Sequence, residues 1–148
     1  MSGNNLELIT WSNTFSCGIK LIDDQHKKLL ALINDIYNHV SGSEEDEARY
    51  FEEVIQEIFR YIKLHFETEE KIMIAAKFEG YDEHKTAHDS FRFAIVDNFS
   101  DFITGKRFRL YSFTDFLKNW ALSHIAVLDK EHFAHLRKKL IREQATEK

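Results

Sequence analysis

Four stretches of this chain place apolar residues at three- and four-residue spacing, glycines fall between them, and proline is absent. That spacing lines one face of an α-helix. The first stretch runs from about Asp23 to Val40, through Leu29, Leu30, Ile33, Ile36 and Tyr37, and Gly42 stops it. A second starts near Ser43, which forms a capping-box pattern with Asp46, and runs to about Ala76 before Gly80. Its apolar face is Phe51, Ile55, Ile58, Ile62, Ile72 and Ala76. The third opens near Asp82, a good N-cap, and carries His84, His88, Phe91, Ile95, Phe99 and Phe102 before Gly105. A fourth opens near Ser112, where SFTD repeats the capping pattern, and continues through Phe116, Leu117, Trp120, His124, Leu128, Leu136 and Leu140. Short connections make neighbouring helices antiparallel. The pattern predicts an all-α, antiparallel up-down-up-down four-helix bundle over residues 23–143. Residues 1–22 form an N-terminal non-helical arm, with Trp11, Phe15, Ile19 and Ile22, laid across that bundle.

The remaining bulk properties narrow the function. The 148 residues suit a single domain, and 43% hydrophobic content with thirteen Phe suffices for one core. Net charge is −5 with no basic stripe, which argues against nucleic acid as a partner. No apolar run of about 18 residues exists, so no membrane span is expected. The opening MSGNNLELITW lacks the basic and apolar regions of a secretory signal. The one cysteine, Cys17, excludes an intrachain disulfide and reads as a small half-buried hydrophobe. A cytoplasmic location is the expectation.

Polar groups interrupt the stripes. In IKLHFETEEKIM, residues 62 to 73, the apolar face passes through His65 and Glu69. Burying either without a partner costs several kcal/mol. The first helix adds His26, the third adds His84 and His88, and the fourth adds His124 with Asp129 five residues on. Residues four apart share a helix side. Each helix therefore sends a ligand-type group to the bundle axis, where such side chains build metal sites. One such histidine alone is more simply a hydrogen-bonded core residue. Mutual hydrogen bonding could satisfy two or three of these groups, hardly all seven. His39, His132 and His135 lie at a helix end or in a charged tail and read as solvated.

Asp129 poses a geometric problem. Five residues along a regular helix turn through about 140°, so His124 and Asp129 do not share a face. Either Asp129 reaches in from the side or a π-bulge separates the two.

Donor chemistry narrows the metal. With no thiolate cluster, structural zinc and iron–sulfur are disfavoured, and calcium and magnesium prefer all-oxygen shells. Five imidazoles and two carboxylates are too many for one ion, but suit two octahedral ions with bridging carboxylates. Imidazole plus carboxylate suits iron, with manganese or mixed metals left open. HKTAH at 84 to 88 has a zinc-protease spacing but carries Lys85 in place of the glutamate base. A ferritin-like site would need Glu-x-x-His pairs, which these seven residues do not form.

The order H…HxxxE…HxxxH…HxxxxD on four helices resembles the hemerythrins, specifically the single-domain bacteriohemerythrins. The likeness spans roughly Trp11 to Phe133. It includes W-x3-F-x2-G-I-x2-I-D-x-Q-H at 11 to 26, HFETEEKIM at 65 to 73, YDEHKTAH at 81 to 88 and W-x3-H-I-x3-D at 120 to 129. It implies one hemerythrin-like domain over 1–148, with a non-haem di-iron centre that binds O2 reversibly. By the resemblance, His84, His88 and His124 hold one iron, while His26 and His65 hold the other and leave a position open. Glu69 and Asp129 bridge the pair, together with an oxo or hydroxo group. O2 would bind end-on at the open iron, take two electrons and the bridge's proton, and leave by the reverse steps. Such a pocket must exclude water, much as a haem distal pocket does. Phe66, Trp120, Ala121 and Ile125 are the candidate wall.

Two departures from the family pattern stand out. WALSHI carries Ala121 where the family usually has a bulky leucine, which predicts a wider pocket and faster autoxidation. Gly80-Tyr81-Asp82 replaces a frequent Tyr-Pro, which predicts a changed loop with unchanged ligation. The reading is an O2 carrier, store or sensor rather than an enzyme, with azide and nitric oxide as further possible ligands. Competing readings are a di-iron enzyme acting on O2, peroxide or nitric oxide, an iron-buffering module, and a metal-free bundle.

Overall fold

The computed structural model describes residues 6–106 and 108–146. Its helices are α1 (Lys20–Tyr37), α2 (Glu44–Ala75), α3 (Tyr81–Ile103), α4 (Leu110–Ser123) and α5 (Lys130–Thr146). A π-helical segment, His124–Asp129, joins α4 to α5 into one rod, so four rods form the bundle. Among the described residues none is in a strand, and no helix is long and apolar enough to cross a membrane.

Helix boundaries differ from the sequence expectation where distant groups replace local caps. Helix α1 starts at Lys20 rather than Asp23, with Ile19 as an N-cap that makes no side-chain bond, and the Asp23 carboxylate reaches back to the arm instead. It accepts bonds from the Cys17 N–H (2.9 Å) and the Ser16 hydroxyl (2.6 Å). The helix ends at Tyr37 rather than Val40, and Asn38 turns to serve the arm. Ser43 does cap α2, accepting from the Asp46 N–H at 3.3 Å. Gly80, not Asp82, is the N-cap of α3, and a Cβ there would meet the Phe78 ring at 2.5 Å. Asp82 and Glu83 instead sit in the first turn, where carboxylates suit the helix dipole. Helix α4 opens at Leu110 rather than Ser112, because its first N–H is taken by Glu47 of α2 at 3.3 Å.

The arm contains a 3-10 turn, Asn13–Phe15, so it is not wholly non-helical, and residues 20 to 22 belong to α1. Residues 1 to 5 of the expected arm lie outside the described residues. The side-chain amides of Asn34 and Asn38 pair with the backbones of Leu8, Ile9 and Leu6, holding the arm along α1. Ile9 and Phe15 are buried there. Cys17 is buried, and that burial pushes its thiol up to about 12.

Apolar side chains form two clusters with a polar layer between them. The larger holds Leu30, Ile33, Phe51, Ile58, Phe66 and Phe113, among others. The smaller holds Cys17, Ile22, Met73, Phe78, Phe133 and Leu136. On each rod a ligand-type residue falls between members of the two clusters: His26 between Ile22 and Leu29, Glu69 between Phe66 and Met73, His84 and His88 between Tyr81 and Phe91, and Asp129 between Ile125 and Phe133, while His65 and His124 lie at the edge of the larger cluster. The polar layer is thus sealed at both ends.

Candidate metal centre

All seven candidate residues meet in that layer. His26, His65, Glu69, His84, His88 and Asp129 have no exposure at all, and His124 retains 4%. The four-residue spacing in α2 and α3 delivers the first pairs, as expected for one helix face. Asp129 arrives by a different route. The π segment spans His124–Asp129, and its wider turn carries Asp129 to the same side as His124.

The two carboxylates divide the histidines between them. Glu69 sets its Oε2 beside the Nε2 atoms of His26 (3.0 Å) and His65 (3.1 Å). Its Oε1 stands beside the Nε2 atoms of His84 and His88, 3.0 Å from each. Asp129 repeats the division, with Oδ2 2.9 Å from His26 Nε2. Its Oδ1 lies 3.0 Å from His84 Nε2 and 3.1 Å from His124 Nε2. Two donor groups result: Glu69, His84, His88, His124 and Asp129 in one, His26, His65, Glu69 and Asp129 in the other.

A metal ion fits this arrangement better than hydrogen bonds do. Ligand atoms at right angles on an octahedral ion with bonds of about 2.1 Å stand roughly 3 Å apart. The observed nitrogen–oxygen separations are 2.9 to 3.1 Å. Yet His65 Nε2, His124 Nε2 and both Asp129 oxygens make no hydrogen bond within the described residues. Buried polar atoms without partners are rare in folded proteins. In each of the two donor groups the ligand atoms all lie within 4.8 Å of one another.

Electrostatics tell the same story. Burial works against the charged form of His26, but Asp129 and Glu69 outweigh it and hold its pKa up at about 9. His84 is held at about 9 by the same contest. Burial would raise the Glu69 carboxyl, but the charge of the neighbouring His65 and the bonds from His26 and His84 hold it well below its ordinary range. Asp129 is pushed up by burial and by Glu69, and His124 and His26 more than reverse this. His88 is pushed down, chiefly by burial. Without metal, protons on imidazole must balance the two carboxylates.

Three flanking residues were not among the expected site residues. Gln25 places its side-chain oxygen 2.7 Å from His65 Nδ1. Glu70 places Oε2 2.6 Å from His88 Nδ1. His132, expected in solvent, is instead buried with 8% exposure, and its Nδ1 lies 2.8 Å from His84 Nδ1. The signal for His132 was present: it falls midway between Leu128 and Leu136 at four-residue steps. His39 and His135 are exposed, as expected.

Of the expected wall residues, Phe66, Ala121 and Ile125 are fully buried. Phe66 stacks on His88 with ring centroids 3.8 Å apart, and Trp120 stacks on His124 at 5.0 Å. The two aromatic rings lie 5.7 Å from each other.

Known proteins resemble this chain in sequence and fold. Residues 17–136 match the family described as the hemerythrin HHE cation binding domain. A bacteriohemerythrin of Pseudomonas aeruginosa is 28% identical over 126 residues, covering 79% of this chain and 74% of its own. Another, of Clostridium acetobutylicum, is 28% identical over 130 residues, covering 84% of this chain and 98% of its own. A crystal structure of a leucine-to-alanine hemerythrin mutant superposes with a TM-score of 0.75 at 26% identity, covering 88% of this chain and 98% of that one. Wild-type hemerythrin shares the fold with a TM-score of 0.72 at 24% identity, covering 86% and 98%.

Proposed function

This chain belongs to the hemerythrin family, and on that footing we propose that its polar layer holds two non-haem iron ions, joined by an oxo or hydroxo bridge, and binds O2 reversibly. His84, His88 and His124 hold one ion, His26 and His65 the other, and Glu69 and Asp129 span both. The observation that carries the reading is the division of Glu69 and Asp129 between two histidine sets, oxygen by oxygen. When bound, the iron pair supplies two electrons and one open position for O2.

The chain supplies orientation and dryness. Gln25 and Glu70 accept from the Nδ1 side of His65 and His88, which leaves the Nε2 lone pairs facing inward. Phe66, Ala121, Ile125 and Trp120 wall the pocket and keep water from the open position, in a layer closed above and below by apolar clusters. A dry wall of this kind favours release of O2 over its reduction. Azide and nitric oxide are small enough for the same position.

A carrier, store or sensor fits better than an enzyme. Outside the ligand set, the buried polar side chains among the described residues are Glu47, Thr114 and His132. Glu47 and Thr114 are committed to backbone groups, and His132 to His84. None is left over as a general acid or base at the open position. The test is an optical spectrum of the iron-loaded, reduced protein while O2 is admitted and withdrawn. A charge-transfer band that appears and vanishes over repeated cycles supports reversible binding. A one-way change to a stable ferric spectrum refutes it and favours turnover.

A further inference from the structure

We infer that His132 is a positioning residue for the metal centre, accepting a hydrogen bond from His84 Nδ1–H and so holding the His84 Nε2 lone pair towards Glu69 and Asp129. The inference rests on the reading that the layer holds metal.

With a metal at His84 Nε2, the geometry allows one arrangement of protons. His84 Nδ1 and His132 Nδ1 are 2.8 Å apart, so one proton lies between them. On the other edge of the ring, His84 Nε2 stands 3.0 Å from both Glu69 Oε1 and Asp129 Oδ1. A metal bound at Nε2 requires its lone pair there, which puts the His84 proton on Nδ1. His132 Nδ1 must then be the acceptor, and the His132 proton sits on Nε2. That nitrogen faces outward, 3.8 Å from the carboxylate of Glu83, whose side chain is 73% exposed. The His132 ring is held in place by packing. Phe78 meets it edge-on with centroids 5.4 Å apart, and the His84 ring lies at 5.0 Å.

His132 and Asp129 depend on one backbone feature. They lie three residues apart, Asp129 as the last residue of the π segment and His132 in the first turn of the regular helix that follows. The extra width of that segment rotates both to the inner face together. One register shift therefore delivers a ligand and the support for a second ligand on another helix. His84 is distinct among the supported ligands. His65 leans on an amide oxygen and His88 on a carboxylate, whereas His84 leans on a neutral ring nitrogen.

The test uses zinc(II) as a diamagnetic probe. In wild type labelled with 15N at histidine, a nitrogen–nitrogen coupling across the His84–His132 hydrogen bond is expected, with His84 wholly in its Nδ1–H tautomer. Absence of that coupling, or a mixed His84 tautomer, overturns the inference without any variant. His132→Phe keeps a ring of similar volume but no acceptor, and zinc affinity against a competing chelator should fall 10- to 100-fold. His132→Gln restores a carbonyl acceptor and should return most of that loss. Equal losses in both variants, tracking the drop in metal-free Tm, would mean packing alone and also overturn it. A wild type that binds zinc outside the seven ligands, or not at all, would instead strike at the proposed centre itself and take this inference with it.

Discussion

Glu70 places one oxygen between two partners, 2.6 Å from Nδ1 of His88 and 2.9 Å from Nη2 of Arg92. Arg92 is itself held by Asp89 at 2.8 Å and lies over the Phe66 ring at 5.1 Å. The His88 ring is thus clamped, with Phe66 stacked on its face and a fixed carboxylate at its outer edge. Glu70→Ala leaves a buried N–H without an acceptor and frees the ring to turn. Metal affinity should drop by about 10- to 100-fold. Glu70→Gln keeps a carbonyl acceptor and should fall between. Competition against a chelator measures this, and an unchanged affinity in Glu70→Ala would remove Glu70 from the site's support.

The metal-free protein should show a bounded pH range of stability. His26 and His84 are raised to about 9 from an ordinary 6.5, so the stability they contribute is complete below 6.5 and lost as pH climbs through 9. Glu69 and Asp129 are depressed, so their contribution is present above their ordinary values of 4.5 and 3.8 and lost as pH falls below them. His88 is pushed down from 6.5, so its contribution is lost as pH falls below that value, and maximal stability of the metal-free chain should lie at about pH 6 to 6.5. Urea unfolding at pH 6 and pH 9.5 tests this, the second being the weaker. Loading metal at neutral pH should also release protons, because ligating imidazoles give theirs up. A flat profile from pH 6 to 9.5 would show that the metal-free cluster is not balanced by imidazolium.

How much of this could be read from the sequence varies residue by residue. The stripes through Leu30, Ile58, Phe91 and Leu117 announced four helices because burial of one face governs helix packing regardless of detail. His65 with Glu69 and His84 with His88 were visible because they share that face at four-residue spacing. Asp129 sat off the regular face, which left a side approach or a π-bulge open, and the fold contains the π segment. Caps were less legible. Ser43 capped its own helix, but Leu110 takes its cap from Glu47, 63 residues away, which no local pattern reveals. Gln25, Glu70 and His132 were missed for a related reason. They touch ligands on other helices, and only the assembled bundle brings the partners together. His132 also lay inside a run of charges that masked its four-residue spacing.

Glu47 offers a test of such a non-local cap. Its buried carboxylate accepts from the Ser41 and Gly42 N–H groups at 2.7 and 2.8 Å and from the Leu110 N–H at 3.3 Å. One side chain thus ties the α1–α2 connection to the first turn of α4. Removing it leaves several backbone donors unpaired, each worth roughly 1–3 kcal/mol when buried. Glu47→Ala should destabilise the metal-free protein by about 3 kcal/mol in urea unfolding, with metal affinity unchanged. A loss under about 1 kcal/mol would mean that water serves these donors equally well.

Ala121 bears on how well the proposed pocket protects its ligand. It is fully buried in the last turn before the π segment, in one cluster with the equally buried Phe66 and Ile125. Leucine there adds three carbons to the wall. Overpacking of a closed core costs about 1–3 kcal/mol, so Ala121→Leu should lower the Tm of the metal-free protein modestly. The same bulk should leave less room for water and protons near the open position, and autoxidation of the O2-bound form should slow several-fold. An unchanged rate would show that Ala121 does not set access to the site. A faster rate would mean that the added bulk distorts the wall rather than sealing it, and would place the control of access at Phe66, Trp120 or Ile125.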